Sequence, residues 1–269
     1  MFNPWSANWG LESVGVHMRL STRKGGVSQG SYESLNLGLH VGDDPDRVLK
    51  NRSLWMEQLG AQPVFLNQVH GQNLLELTAL SAHGLEADAC FTLSHGVACT
   101  MMVADCMPIL IAHSSGAFVG ALHVGWRGFL GVDANNELMK EGILEHAINA
   151  ITTSVGERRE AFAMDQVCAW LGPCIGDQSF EVGPLVRDLY VERFGADHGL
   201  FKAHPSSPHK WYFNLAGAVS LELGRLGIVK LYGNDGSLDW CTVTQEEFFF
   251  SHRRDKVSGR FCASIWMES

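Results

Sequence analysis

The sequence predicts an α+β fold in a single domain. Paired apolar segments that resemble β-hairpins are mixed with helical segments, without the regular strand–helix repeat of a wound parallel sheet. No long linker divides the 269 residues into two halves, and a chain of this length can bury one large core. The most linker-like segment, residues 204–208, is short, so we expect it to be a surface loop.

The first long helix has clear start and stop signals. Asp44 can cap its N-terminus, Pro45 is favoured in a first turn, and Gly60 stands just past the last apolar residue. These signals predict a helix over residues 45–59. Further helices are predicted over residues 133–153, 184–194 and 214–226.

Short apolar segments predict the strands. Residues 97–103 are almost wholly apolar, which is typical of a strand buried on both faces. Residues 108–113 and 117–123 predict a β-hairpin, and residues 125–128 a turn after it. The remaining predicted strands cover residues 14–19, 63–69, 74–77, 166–171, 228–232 and 261–266.

Composition excludes several kinds of partner. The formal net charge is −9 and no block of Lys and Arg occurs, so binding to a nucleic-acid backbone is not expected. No apolar run is long enough to span a membrane, and residues 1–11 lack the pattern of a signal peptide. The seven cysteines are odd in number and form no C-x-x-C pair, which favours a reduced, cytoplasmic protein.

The hairpin brings two reactive residues together. If residues 114–115 form a two-residue loop, Cys106 lies directly opposite His123, with Cβ atoms roughly 5 Å apart. A shift of one residue would place them on opposite faces. A thiolate and an imidazole so placed can share a metal ion or act as a nucleophile and its base.

His70 is the third member of this constellation, because it also stands at the polar end of an apolar segment. Each of the three residues has a structural interpretation when considered alone. Together, two imidazoles and a thiolate suit Zn²⁺ and leave one coordination position open, as in catalytic sites. Copper binds the same set of ligands.

Other residues are candidates for supporting roles. Asp105 could accept a hydrogen bond from a ligand histidine or serve as a general acid or base, whereas Asp88 is interpreted as a turn cap. A Gly-rich loop after the first strand could hold an anion. The candidate phosphate-binding residues are Arg23, Gly25, Gly26, Ser28 and Arg127. The pair Arg253 and Arg254 is interpreted as solvated.

Several motifs, in order along nearly the whole chain, resemble the laccase-domain family. That family was first called multicopper polyphenol oxidases and is now described as purine nucleoside phosphorylases. The matching motifs lie at residues 21–28, 35–38, 67–71, 104–108, 123–128, 172–176, 249–254 and 258–260. Two residues depart from the pattern: His252 stands where tyrosine is expected, and Val124 where alanine is usual.

The resemblance implies one domain over residues 1–269, with layered mixed β-sheets flanked by helices in an α/β/β/α-like order. It implies zinc at His70, Cys106 and His123, and Asn36 as a further substrate- or phosphate-binding candidate. The implied reactions are phosphorolysis of adenosine, inosine and methylthioadenosine, and deamination of adenosine. The partners are then purine nucleosides and phosphate.

Three alternatives stay open from the sequence. Cys106 and His123 could form a cysteine hydrolase or deamidase. A copper-dependent polyphenol oxidase fits less well, because the sequence offers one set of two histidines and a cysteine and no His-x-His pair. A non-catalytic metal-binding protein is the third.

Overall fold

Two stacked β-sheets with helices on both outer sides form the protein. The computed structural model describes residue 5, residues 9–156 and residues 163–269. The strands are β1 (Val16–Leu20), β2 (Gln62–Phe65), β3 (Leu74–Leu77), β4 (Ala89–Thr92), β5 (Val97–Val103), β6 (Met107–His113), β7 (Val119–Val124), β8 (Val167–Leu171), β9 (Glu181–Val182), β10 (Phe201–Ala203), β11 (Trp211–Phe213), β12 (Lys230–Gly233) and β13 (Phe261–Met267). The helices are α1 (Pro45–Leu59), α2 (Trp126–Leu130), α3 (Ile143–Gly156), α4 (Pro184–Phe194), α5 (Leu215–Arg225) and α6 (His252–Asp255).

The sheets are mixed. One has the strand order β12-β8-β6-β7-β4-β3, the second has the order β1-β13-β5-β2, and a small third sheet has the order β10-β11-β9. Three neighbouring pairs are parallel, namely β12 with β8, β3 with β4, and β2 with β5. The other neighbours run antiparallel, so the predicted α+β class is confirmed.

Side-chain alternation builds the layers. On β6, Ile109 and Ile111 pack against α3, α4 and α5, whereas Leu110 and Ala112 face the four-stranded sheet. On the far side of that sheet, Trp55 of α1 is buried against Phe65. The order from one surface to the other is therefore helix, sheet, sheet, helices, which confirms the expected layered arrangement.

Helix predictions succeeded where end signals were strong. The helices over residues 45–59 and 184–194 are observed as predicted, and the Asp44 side chain accepts a hydrogen bond from Asp46 N. The helix predicted over residues 133–153 was wrong at its start, because Asp133 accepts hydrogen bonds from the Asn135 and Glu137 amides and folds the chain into turns. The turn predicted at residues 125–128 is instead the start of α2.

Strand predictions were less complete. The strand predicted over residues 63–69 ends at Phe65, and the short strands β4, β9, β10 and β11 were not predicted. Residues 204–208 form part of the connection between β10 and β11. Residues 1–4 and 6–8, within the segment considered for a signal peptide, lie outside the described residues. No helix in the described ranges is long and apolar enough to cross a bilayer.

The predicted hairpin register was wrong by two residues. His123 pairs with Pro108, so the connection between β6 and β7 is longer than two residues. The longer loop is stabilised by a hydrogen bond from His113 N to Phe118 O. Because side chains alternate with a period of two, this shift leaves Cys106 and His123 on the same face.

Candidate metal centre

Three ligand side chains converge as the sequence predicted. One donor atom from each of His70, Cys106 and His123 lies within 4.8 Å of the donor atoms of the other two. His70 Nδ1 is 3.9 Å from Cys106 Sγ, and the two imidazole centroids are 4.7 Å apart. Within the part of the chain that the structure describes, this is the only such group of three.

The fold explains why these residues meet. Cys106 lies in the short connection by which the chain passes from β5 in one sheet to β6 in the other. His123 lies near the end of β7, next to β6. His70 lies in a turn between β2 and β3, which belong to different sheets. The centre therefore forms where two connections between the sheets meet the end of β7.

Asp88 supports two of the three ligands. Its Oδ1 lies 2.7 Å from His123 Nδ1, which directs Nε2 of that imidazole to the other ligands. The same carboxylate accepts hydrogen bonds from the amides of Val69, His70 and Gly71 at 3.1, 2.9 and 2.7 Å. Asp88 is therefore the turn cap expected from the sequence and also the partner of a ligand histidine, a role considered for Asp105.

The backbone at the centre is closely fitted. His70 has a φ of 63°, an unusual conformation for a residue with a side chain. Gly125 leaves the space that the ligands need, because a Cβ there would lie 2.8 Å from Cys106 Sγ and 3.2 Å from His70 Nδ1. This glycine has ordinary extended angles, so its requirement is for space rather than for backbone freedom.

Charge coupling favours ionised ligands. Burial opposes ionisation of the Cys106 thiol, but attraction by His123 and hydrogen bonds from His123 and His70 lower its pKa to about 6. Burial likewise opposes a charge on His123, yet Cys106 and Asp88 together raise its pKa to about 9. Burial acts against Asp88 too, and its hydrogen bond to His123 lowers the pKa of the carboxyl.

The donor set fits a zinc ion. Two imidazoles and a thiolate are ligands that Zn²⁺ prefers, and a carboxylate on the outer nitrogen of one imidazole is typical of such sites. His70 is exposed, Cys106 is half-buried and His123 is buried, so the centre opens to solvent on one side. The same residues in the order Cys106, His123 and Asp88 also resemble a nucleophile, a base and an orienting acid.

The open side of the centre faces a pocket of about 520 Å³. Its walls combine apolar side chains with four cations. The apolar lining includes Met102, Trp126, Ile175, Phe180 and Leu215, and the cations are Arg127, Arg253, Lys256 and Arg260. A volume of this size suits a small-molecule ligand.

Sequence reasoning missed most of the cationic lining. Arg253 was interpreted as solvated, but it lines the pocket and donates hydrogen bonds to the carbonyls of Ser179 and Glu181. Arg254 donates to three backbone carbonyls instead of facing solvent. The matching motifs at residues 249–254 and 258–260 were the only sequence signal that this segment belongs to a site.

Asp105 lines the pocket but does not contact the ligand imidazoles. Its Oδ1 accepts a hydrogen bond from Thr242 Oγ1 at 2.6 Å, and its Oδ2 accepts one from Arg253 N at 2.6 Å. Its backbone has a φ of 104°. These contacts favour a positioning role over the acid–base role predicted from the sequence.

The Gly-rich loop does not reach the pocket. Arg23 donates to the carbonyls of Glu33 and Glu246 and lines a separate depression. Ser28 and Asn36 both donate to Asp43 Oδ2, and Asn36 is fully buried. Gly25 and Gly26 are also absent from the pocket lining. The anion-binding role of these five residues stays a prediction, and the side chains of Arg23, Ser28 and Asn36 already donate to acceptors elsewhere in the protein.

Arg127 is at the pocket, as expected, but its donors are engaged. Its Nη1 donates to Asp133 O at 3.1 Å and its Nη2 to Asn136 Oδ1 at 2.7 Å. The guanidinium carbon lies 4.7 Å from the centroid of the Trp126 ring. Arg127 is therefore a cation at the pocket and also one member of a stacked pair with Trp126.

The sequence was compared with protein families and with known proteins. Residues 17–268 match the family described as "Multi-copper polyphenol oxidoreductase laccase". A relative from Escherichia coli (strain K12), named purine nucleoside phosphorylase YfiH, is 36% identical over 255 residues, which covers 94% of each protein. A relative from Haemophilus influenzae, named purine nucleoside phosphorylase, is 35% identical over 263 residues, which covers 97% of this chain and 98% of the relative.

Solved structures agree. The crystal structure of protein NMB0706 of Neisseria meningitidis superposes with a TM-score of 0.82 at 34% identity, over 95% of both chains. That of YlmD from Geobacillus stearothermophilus gives a TM-score of 0.82 at 30% identity, over 95% of this chain and 93% of that one. Because sequence and fold agree over more than nine-tenths of its length, the chain belongs to the multi-copper polyphenol oxidoreductase laccase family.

Proposed function

We propose that this protein is a zinc-dependent purine nucleoside phosphorylase that acts on adenosine, inosine and methylthioadenosine. The observation that carries this conclusion is the opening of the three-ligand centre onto a pocket of about 520 Å³ with apolar and cationic walls. Apolar walls suit a purine ring, and cations suit phosphate. The names of the relatives from Escherichia coli and Haemophilus influenzae support the same class of reaction.

The reaction places specific demands on the pocket. An oxygen of hydrogen phosphate forms a bond to the ribose C1′ while the bond from C1′ to the purine nitrogen breaks. The purine leaves with the bonding electron pair and takes up the proton that the phosphate gives up. Since the transition state resembles an oxocarbenium ion, catalysis depends on holding the phosphate oxygen close to the ribose C1′ and in line with the bond that breaks.

The residues of the centre divide these tasks. His70, Cys106 and His123 would hold the zinc ion, and Asp88 fixes the orientation of His123 and the turn that carries His70. Zinc bound there supplies a Lewis acid that polarises oxygen atoms and lowers the pKa of water. Phe180 and Leu215 provide apolar contact area for the base and exclude water from it.

We assign adenosine deamination to the same pocket as a second reaction. Water adds to C6 of the purine, the amino group leaves as ammonia, and inosine is formed. The three-ligand centre supports this chemistry because it faces the space in which the purine would lie.

The seven free cysteines favour a reducing compartment, so we place both reactions in the cytoplasm.

The test uses the zinc-loaded full chain with inosine and inorganic phosphate. The expected products are ribose 1-phosphate and hypoxanthine in equal amounts, with activity lost in Cys106→Ser and kept in the control Cys168→Ser. Cys168 is buried on β8 and is not part of the pocket lining. Absence of ribose 1-phosphate at full zinc content would refute the phosphorylase. Oxidation of a diphenol by the copper-loaded chain, without phosphorolysis, would favour the polyphenol oxidase.

A cysteine hydrolase is the second candidate, favoured by one observation. The Cys106 thiol has a pKa lowered to about 6 beside His123, and His123 is hydrogen-bonded to Asp88. Iodoacetamide distinguishes the two functions. Rapid labelling of Cys106 in the protein as purified favours a free nucleophile, whereas labelling only after chelation favours the zinc enzyme, because a zinc-bound sulfur reacts slowly.

A further inference from the structure

Helix α6 and the segment after it deliver cations to one side of the pocket. Arg253, Lys256 and Arg260 all line it, and Asp105 is the only carboxylate in that lining. Both oxygens of Asp105 already accept hydrogen bonds, from Thr242 Oγ1 and Arg253 N. This side of the pocket therefore attracts anions.

The four pocket cations differ in how many donors remain available. Arg127 uses both Nη1 and Nη2, and Arg253 uses both of its Nη atoms, on acceptors within the protein. The Lys256 ammonium has no hydrogen-bond or ion-pair partner among the residues that the structure describes, whereas the backbone amide of Lys256 donates to His252 O. Its neighbour Asp255 is already paired with Arg254, with Nη2 2.7 Å from Oδ2.

Within the described part of the chain, the guanidinium of Arg260 is held through only one of its three nitrogen atoms. Its Nη1 donates to the carbonyls of Ser258 and Gly259, each at 3.0 Å, and its backbone amide donates to Asn36 Oδ1 at 2.9 Å. Its Nε and Nη2 have no acceptor within the described ranges. A guanidinium fixed in this way presents a pre-oriented pair of donors, the geometry that binds two oxygens of one tetrahedral anion.

The surroundings of Arg260 make a bound anion favourable. The side chain is half-buried, and burial lowers the pKa of its guanidinium, against which Cys106 and Asp105 exert a weaker attraction. Arg260 and Cys106 line the same pocket. An anion beside Arg260 would offset the cost of burying this cation and would lie next to the centre.

We propose that Lys256 and Arg260 form the oxyanion subsite of this pocket and bind inorganic phosphate next to the metal centre. This inference rests on the proposed function for the role of phosphate as a substrate. It differs from the site predicted at the Gly-rich loop, where Arg23 and Ser28 donate to acceptors elsewhere in the protein, because Lys256 and Arg260 keep free donors. Lys256 supplies a mobile charge, and Arg260 supplies fixed, directional hydrogen bonds.

The direct test measures phosphate binding without turnover. Zinc-loaded full-length protein is titrated with inorganic phosphate in a calorimeter, with no nucleoside present. Lys256→Ala and Arg260→Lys are each expected to weaken phosphate binding about tenfold, since each removes a charge-assisted contact or its geometry. Lys50→Ala is the matched control, because Lys50 is exposed on α1 and is not part of the pocket lining.

The outcomes separate this subsite from the proposed function. If both variants keep full zinc and bind inosine normally while losing phosphate affinity, the subsite is supported. It is also supported if phosphate binds through these residues in a chain that forms no ribose 1-phosphate, although the phosphorylase is then refuted. Unchanged phosphate affinity in both variants overturns it, as do undetectable phosphate binding in the unmodified chain and a loss of affinity seen only in Arg23→Gln.

Discussion

Asp88 and His123 are joined twice, once through side chains and once through the backbone. Asp88 Oδ1 lies 2.7 Å from His123 Nδ1, and His123 N donates to Asp88 O at 2.7 Å. Asp88 is fully buried, and its carboxylate also accepts the amide of His70. One side chain thus positions two of the three proposed metal ligands, and this shared support has a measurable consequence.

Asp88→Asn is expected to weaken zinc binding roughly 10- to 100-fold, because the amide cannot supply the charge that orients His123. Competition with a chromogenic chelator measures the affinity. Asp43→Asn is the control, since Asp43 also accepts several hydrogen bonds but lies outside the pocket lining. Equal zinc affinity in the Asp88 variant and the unmodified chain would contradict this role.

Gly125→Ala is expected to damage the metal centre without unfolding the protein. The added Cβ would lie 2.8 Å from Cys106 Sγ and must displace a ligand, whereas alanine readily adopts the φ of −91° and ψ of 169° found there. Zinc content measured by elemental analysis should fall, with the melting temperature of the metal-free protein almost unchanged.

The chain provides a matched control for that substitution. Gly183 is the N-cap of α4, as Gly125 is of α2; it has a φ of −89° and a ψ of −178°, and a Cβ there would meet nothing within 4 Å. Gly183→Ala should therefore keep its zinc. If the two variants lose zinc equally, the explanation from the close approach to Cys106 is wrong.

Local sequence signals predicted the part of this site that one segment contributes, namely the hairpin with Cys106 and His123. Period-two alternation placed Cys106 and His123 on one face, and that outcome survived a hairpin register shifted by two residues. The hydrogen-bond partners that distant segments supply to these residues could not be deduced in this way. Asp88 is 35 residues from His123, and no local pattern distinguishes a turn cap from a carboxylate that also meets a ligand.

The same limit applies to the phosphate-binding role predicted for the Gly-rich loop. Arg23, two glycines and hydroxyl groups form a plausible anion-binding sequence, but Asn51 from α1 and Asp43 occupy those polar groups in the fold. Conversely, Arg260 was indicated only as part of the family motif at residues 258–260; it lines the pocket, and its backbone amide donates to Asn36 Oδ1. Long-range hydrogen bonds, rather than composition, decide which cations remain free.

Asp105→Asn tests whether this carboxyl positions the cationic segment or transfers protons. If Asp105 is a positioning residue, the substitution should raise the KM for phosphate, because one acceptor for Arg253 N or Thr242 Oγ1 is lost. The zinc content and the pH profile of kcat should stay unchanged. Thr242→Val should give the same pattern, since it removes the donor on the other side. Loss of kcat by about 100-fold or more with the KM unchanged would instead restore the acid–base role.

Asn51→Ala tests the structural role of the Gly-rich loop. The fully buried Asn51 amide donates to Ser28 Oγ and to the carbonyls of Ser34 and Asn36, and it accepts the Val27 amide at 2.8 Å. Removing it leaves several buried polar groups without partners, so urea denaturation should show a loss of roughly 2–4 kcal/mol in the free energy of unfolding. Asn149→Ala, on the exposed face of α3, should change little. Unchanged stability together with lost phosphate affinity in Asn51→Ala would return the loop to ligand binding, because its polar groups would then be serving a bound anion.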